Sequence, residues 1–133
     1  MFEFQITTSN KHEIVDITGK VETVVREMGV EEGICVVYVP HATSALIINE
    51  YEPNLEQDML RMFEHIIKED NDYAHNKIDD NATAHLRSAL FGPSVVLLIS
   101  GGLLKLGTWQ RILLCEFDGP RKRTVYVHVL GKP

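Results

Sequence analysis

The first residues of the chain alternate apolar and polar side chains. Phe2, Phe4 and Ile6 stand against Glu3, Gln5 and Thr7, the period of a half-buried strand. A second short strand is predicted over Glu13 to Ile17. From Thr18 the period lengthens: Val21, Val24, Val25 and Met28 share one helical face, with Thr18 placed to cap the helix and Gly29 to stop it. Gly33 opens the β-branched run Ile34 to Val39, which Pro40 ends. Ala45 to Asn49 reads as another strand, so the segment His41 to Ser44 joins the two or starts the second. The clearest helix follows, from about Pro53 to Glu69, with Leu55, Met59, Met62, Phe63, Ile66 and Ile67 as a stripe expected to face the core.

Glu69 to Asn81 is polar and has neither period. Asp80 or Asn81 can cap a short helix through Leu90, which Gly92-Pro93 ends. Three further strands are predicted at Val95 to Ser100, Trp109 to Phe117 and Thr124 to Leu130. Gly101-Gly102 and Asp118-Gly119-Pro120 supply the turns between them. Strands flank two or three helices without regular alternation, which predicts an α+β fold with mainly antiparallel sheets rather than a parallel βαβ array. One domain over residues 1–133 is expected from the length.

Composition narrows the function classes. The 44% hydrophobic and 24% charged content is that of a folded globular chain. A net charge of -6, with no interleaving of aromatic and basic residues, argues against nucleic acid as a partner. No apolar run is long enough to cross a bilayer, and Met1-Phe2-Glu3-Phe4 lacks the features of a secretion signal. Cys35 and Cys115 both lie in apolar strand-like runs and form no CxxC pair, so buried reduced thiols and a cytoplasmic location are expected.

Candidate chemistry centres on His41, His75 and His85, each beside turn or cap signals rather than on an apolar face. Imidazole carries protons near neutral pH and ligates metals, and three converging nitrogens suit zinc or a related ion. Their spacing matches no local metal motif, so three unrelated hydrogen-bonded histidines remain an alternative. His12, His65 and His128 read as structural or surface residues. Glu50, at a strand end, is a candidate base or ligand, and Asp79 or Asp80 can orient an imidazole or cap the next helix. In Gly107-Thr108-Trp109-Gln110, Trp109 can stack on a ring and Gln110 can hydrogen-bond it; a packed strand entry is the alternative. Arg121, Lys122 and Arg123 form a basic run suited to phosphate or to a solvated hairpin.

Taken in order, His41-Ala42-Thr43-Ser44-Ala45, Asn49-Glu50, Tyr73-Ala74-His75, Asp80-Asn81-Ala82-Thr83-Ala84-His85-Leu86, Leu106-Gly107-Thr108-Trp109-Gln110 and Gly119-Pro120-Arg121 with Arg123 resemble the YjbQ family from about residue 3 to 131. Ala42 stands where relatives often have threonine, and Leu98 where many have proline. The resemblance implies a β-sandwich-like α+β subunit assembling as a homotrimer. It further implies a divalent metal, zinc or magnesium, on His41, His75 and His85. The implied activity is thiamine-phosphate synthase, joining hydroxymethylpyrimidine diphosphate to thiazole phosphate. On that expectation His41, Glu50, Trp109, Gln110, Arg121 and Arg123 form the catalytic set for a small phosphorylated metabolite. A metal-dependent hydrolase of a phosphorylated metabolite and a non-enzymatic trimeric metabolite-binding protein are the alternatives.

Overall fold

The computed structural model describes residues 1–133. Strands β1 (Phe2–Thr7), β2 (Glu13–Asp16), β3 (Glu32–Tyr38), β4 (Ser44–Asn49), β5 (Ser94–Ser100), β6 (Leu103–Leu104), β7 (Arg111–Glu116) and β8 (Lys122–Lys132) form two sheets. Helices α1 (Thr18–Met28), α2 (Pro53–Ile66) and α3 (Ala82–Phe91) complete the fold, with a 3-10 turn over Ala74–Lys77. The larger sheet has the order β1-β8-β3-β5-β6 and the smaller β2-β7-β4, and every pairing is antiparallel. The α+β class expected from the sequence is what the chain adopts.

Side-chain alternation builds the layers. Cys35, Val37, Leu97, Ile99, Val125 and Val127 point from the large sheet towards Leu46, Ile112 and Leu114 of the small one. Val21, Val24 and Val25 of α1 close this core at one side. The opposite face of the small sheet, through Ala45, Leu113 and Cys115, packs Met59 and Phe63 of α2 and Ala84 of α3. The three-stranded sheet is therefore covered on both faces, which explains the unbroken apolar run Ile112 to Cys115 in β7. Both cysteines are free and fully buried, and burial pushes the Cys35 thiol up to about 11 and Cys115 to about 12.

Several boundaries differ from the sequence reading for local reasons. Thr18 is the first residue of α1 rather than its cap. Its Oγ1 donates to Asp16 Oδ1 at 2.7 Å and accepts Ile112 N–H at 2.7 Å, tying α1 to β7. Gly29 does stop the helix, at φ 65°, a left-handed conformation that glycine adopts without a Cβ penalty. Helix α2 ends at Ile66 instead of Glu69, where the buried Arg87 donates Nε to Phe63 O at 3.0 Å and Nη2 to Ile67 O at 2.7 Å. Of its apolar stripe only Met59 and Phe63 are buried, while Met62 and Ile66 are left at the outer edge. Trp109 precedes β7 in a turn rather than starting the strand.

Candidate functional site

The ladder between β4 and β7 sorts the candidate residues into two groups. Ser44 pairs with Glu116 at one end and Asn49 with Arg111 at the other. Five residues at about 3.3 Å each put these ends ~17 Å apart. His41, Arg121 and Arg123 lie beyond the first end, and Glu50, Trp109 and Gln110 beyond the second. The set expected to act together is thus divided within one chain.

At the first end a buried ion pair organises the backbone. Arg123 donates Nε to Glu116 Oε1 at 2.9 Å and Nη2 to Glu116 Oε2. It is 3% exposed and Glu116 is fully buried. The same carboxylate accepts Thr8 Oγ1–H at 2.8 Å and the Asp118 N–H at 3.1 Å, and Arg123 Nη2 also reaches Thr43 Oγ1 at 2.9 Å. A solvated basic hairpin is therefore only half right: Lys122 is exposed, but Arg123 points inward because it alternates with Lys122 along β8. Its Nη1 makes no hydrogen bond within the chain. Glu116 was not foreseen as a site residue. The one signal available was an acidic side chain ending an apolar strand two residues from a turn.

His41 leaves the end of β3 and bends back over β8, where the Thr124 N–H donates to its Nε2 at 2.9 Å. That bond needs an unprotonated Nε2, so the neutral ring carries its proton on Nδ1. Burial lowers the pKa of His41, and the nearby Arg123 charge lowers it further. His41 and His85 line one cavity of about 320 Å³ with Ser88, Ala89 and Pro93. His85 also faces His75, with ring centroids 4.9 Å apart and planes at 74°.

A polar chain continues from this pair. His75 Nε2 lies 2.9 Å from Asn81 Oδ1, Asn81 Nδ2 donates to Asp118 Oδ2 at 2.9 Å, and Arg121 Nη2 donates to the same oxygen at 2.8 Å. Asn81 precedes α3 but makes no cap bond with its side chain, which is spent on this bridge. Burial would raise the Asp118 carboxyl, but the hydrogen bonds from Asn81 and Arg121 prevail and hold it below its ordinary value. Asp79 and Asp80 are exposed, and neither carboxylate bonds a histidine ring; Asp79 meets His75 only through its N–H, which donates to His75 O at 3.0 Å.

A metal fits the donor set poorly within one chain. His41 has its Nε2 engaged by a backbone N–H and its proton on Nδ1, so neither nitrogen is offered to an ion. No three His, Cys, Asp or Glu residues are grouped to hold one. His75 and His85 are neighbours; His41 joins them only through the cavity it shares with His85.

The second group has simpler local roles. Gln110 Oε1 accepts the Gly107 N–H at 2.8 Å, which closes the turn carrying Trp109, and Trp109 is 70% exposed. Glu50 follows β4 at the half-exposed rim, with its own N–H donated to Asn49 Oδ1 at 2.8 Å. No helix of the fold is long and apolar enough to cross a membrane.

Comparison with known proteins places this geometry. The family model described as UPF0047 protein YjbQ-like matches residues 2–132. A UPF0047 protein of Archaeoglobus fulgidus is 46% identical, covering 96% of this chain and 99% of its own. The UPF0047 protein YugU of Bacillus subtilis is 39% identical, covering 96% of each. Among solved structures, a YbjQ-like protein of unknown function from Sulfolobus solfataricus superposes with a TM-score of 0.97 at 39% identity, covering 98% of this chain and 96% of that one. A hypothetical protein of Aeropyrum pernix gives 0.95 at 44% identity, covering 98% of both.

These relatives correct the activity expected from sequence. They are described as UPF0047 proteins or as a protein of unknown function, so kinship with them brings no thiamine-phosphate synthase activity to this chain. The expectation of a thiamine-phosphate transferase therefore does not stand. A match over almost every residue, with near-identical folds at about two residues in five, leaves one conclusion: the chain belongs to the UPF0047, YjbQ-like family.

Proposed function

We propose that the cavity between His41 and His85 binds a small anionic metabolite, a phosphate ester being the class it suits best. One observation carries this reading. His41 spends Nε2 on the chain and keeps its Nδ1–H unspent beside a cavity that His85 also lines. A neutral imidazole that donates is a good anion contact, and it needs no proton uptake to act. Arg123 stands behind it with Nη1 free of hydrogen bonds, and Arg121 flanks the neighbouring polar chain. Glu116 and Asp118 offset both guanidinium charges, so the site recognises an anion through aimed donors more than through net charge.

The test is calorimetric titration of the full chain with inorganic phosphate. Saturable binding that is lost in His41→Ala and weakened in Arg121→Ala supports the reading. Heats that fail to saturate, or that are the same in both variants, overturn it.

Self-association into a homotrimer is the second part of the proposal. Ile34 pairs with Leu98 on one side and Leu130 on the other, all on the face of the large sheet turned away from the core. Val96, Leu98 and Leu130 there are 60%, 62% and 53% exposed. A contiguous apolar sheet face of this kind is characteristic of a surface covered by a partner, here another copy of the chain. Sedimentation equilibrium should give three chains per particle, and Leu98→Glu should dissociate them. A monomer at micromolar concentration would refute this part. A cytoplasmic setting accords with two unpaired thiols in the core.

A further inference from the structure

The His41 cavity is one end of a longer groove along α3. Ala82, His85, Leu86 and Ala89 recur at the spacing that aligns side chains on one helical face, and they cover about 10 Å of helix axis. Ala82, His85 and Leu86 line a cavity of about 310 Å³ with Tyr73, Ala74 and His75. His85 and Ala89 line the His41 cavity. His85 is common to both, so the two spaces meet at this residue.

They differ in chemistry. The His41 end offers imidazole N–H groups, with two arginines close behind. At the His75 end the side chains are flat or aliphatic: the rings of Tyr73, His75 and His85 and the methyl groups of Leu86, Ala74 and Ala82. His75 and His85 stand edge to face, and Tyr73 is held in place by its hydroxyl, which donates to Lys68 O at 2.5 Å. Such a wall takes a flat ring by stacking and edge contacts, not a bare inorganic ion.

We infer that the ligand of this groove is a ring-bearing anion, with its phosphate or carboxylate at His41 and its planar body lodged between Tyr73, His75 and Leu86. This rests on the anion reading of the His41 cavity and adds the second half of the molecule. His85, in contact with both parts, is the residue that sets their separation.

The probes are inorganic phosphate and phenyl phosphate, titrated into the full chain with binding read by calorimetry. Phenyl phosphate should bind roughly tenfold tighter or better, the gain expected for burying one aromatic ring. Leu86→Ala and His75→Ala should remove most of that gain, and Leu86→Ala should leave inorganic phosphate unchanged. Both positions are exposed, so both variants are expected to fold. Equal affinity for the two probes, or a gain that survives both substitutions, overturns the ring site and leaves the anion reading standing. Binding of neither probe overturns both.

Discussion

Arg123 meets Glu116 side-on, two guanidinium nitrogens on two carboxylate oxygens, with neither side chain more than 3% exposed. The pair joins β8 of the large sheet to β7 of the small one at the end where the His41 cavity opens. Removing one partner strands the other charge away from water, which typically costs about 3–5 kcal/mol. Glu116→Ala is expected to fall in that range in urea unfolding, and Glu116→Gln to cost less because it still accepts a hydrogen bond. A loss below about 1 kcal/mol in Glu116→Ala would mean that the pair is solvated.

Ser44 lies opposite Glu116 in the ladder, and its Oγ is buried without a hydrogen-bond partner. A buried, unsatisfied hydroxyl opposes folding by about 1–3 kcal/mol. Ser44→Ala removes it while keeping the backbone carbonyl that accepts Ser88 Oγ–H at 2.6 Å. The variant should be as stable as the parent or more so. A clear drop in the urea midpoint would show that the hydroxyl is satisfied in solution.

His41 predicts a pH signature. Its folded pKa lies below the ordinary 6.5, so between those two values the unfolded chain binds more protons than the folded one. Its contribution to stability is therefore complete above pH 6.5 and is lost as the pH falls through the folded pKa. Comparing His41→Gln with the parent between pH 5 and 8 isolates this contribution from the carboxylates. The parent should show the steeper loss towards acid; parallel profiles would mean that His41 titrates normally.

The expected zinc or magnesium on His41, His75 and His85 can be tested apart from any activity. With His41 Nε2 held by Thr124, only the His75–His85 pair is poised to bind, well short of the four ligands of a closed zinc site. Competition with a chromophoric chelator should find weak zinc affinity that falls in His85→Ala and is unchanged in His41→Ala. Tight binding that requires His41 would restore the three-histidine centre.

The separation of about 17 Å along the β4–β7 ladder makes a final prediction. Trp109→Ala and Glu50→Gln should leave phosphate binding unchanged, and Trp109→Ala, at an exposed position, should alter stability by no more than ~0.5 kcal/mol. A tenfold loss of phosphate affinity in either variant would show that the two ends act as one site, as they would if a second chain brought them together.

Most of the architecture is legible in the order of residues. Alternation in Phe2 to Thr7 and the helical stripe of Val21, Val24 and Val25 depend on short-range periodicity, and the fold reproduces both. So does the end of α1 at Gly29, because a positive φ there is a property of the residue itself. Where a long-range partner decides, local pattern misleads. Helix α2 stops early where Arg87, 24 and 20 residues ahead, binds the carbonyls of Phe63 and of the capping Ile67.

The site divides along the same line. The three histidines could be picked out by their position beside turns, and two of them do face each other. The partner of His41 was invisible, since Thr124 lies 83 residues away, and so was the Asn81–Asp118 bond beyond His75, which spans 37. Arg123 reads as one of three basic residues in a row until strand pairing turns it inward onto Glu116. By itself the sequence determined most of the elements, the class of fold and the family, all of which follow from local periodicity and ordered motifs; the short strand β6 and the 3-10 turn at Ala74–Lys77 carry no such period. Tertiary structure alone decided which charges are paired, which imidazole nitrogen stays unspent and which candidates lie at opposite ends of a strand. Those depend on register between distant segments, and a one-residue shift there sends every side chain to the other face.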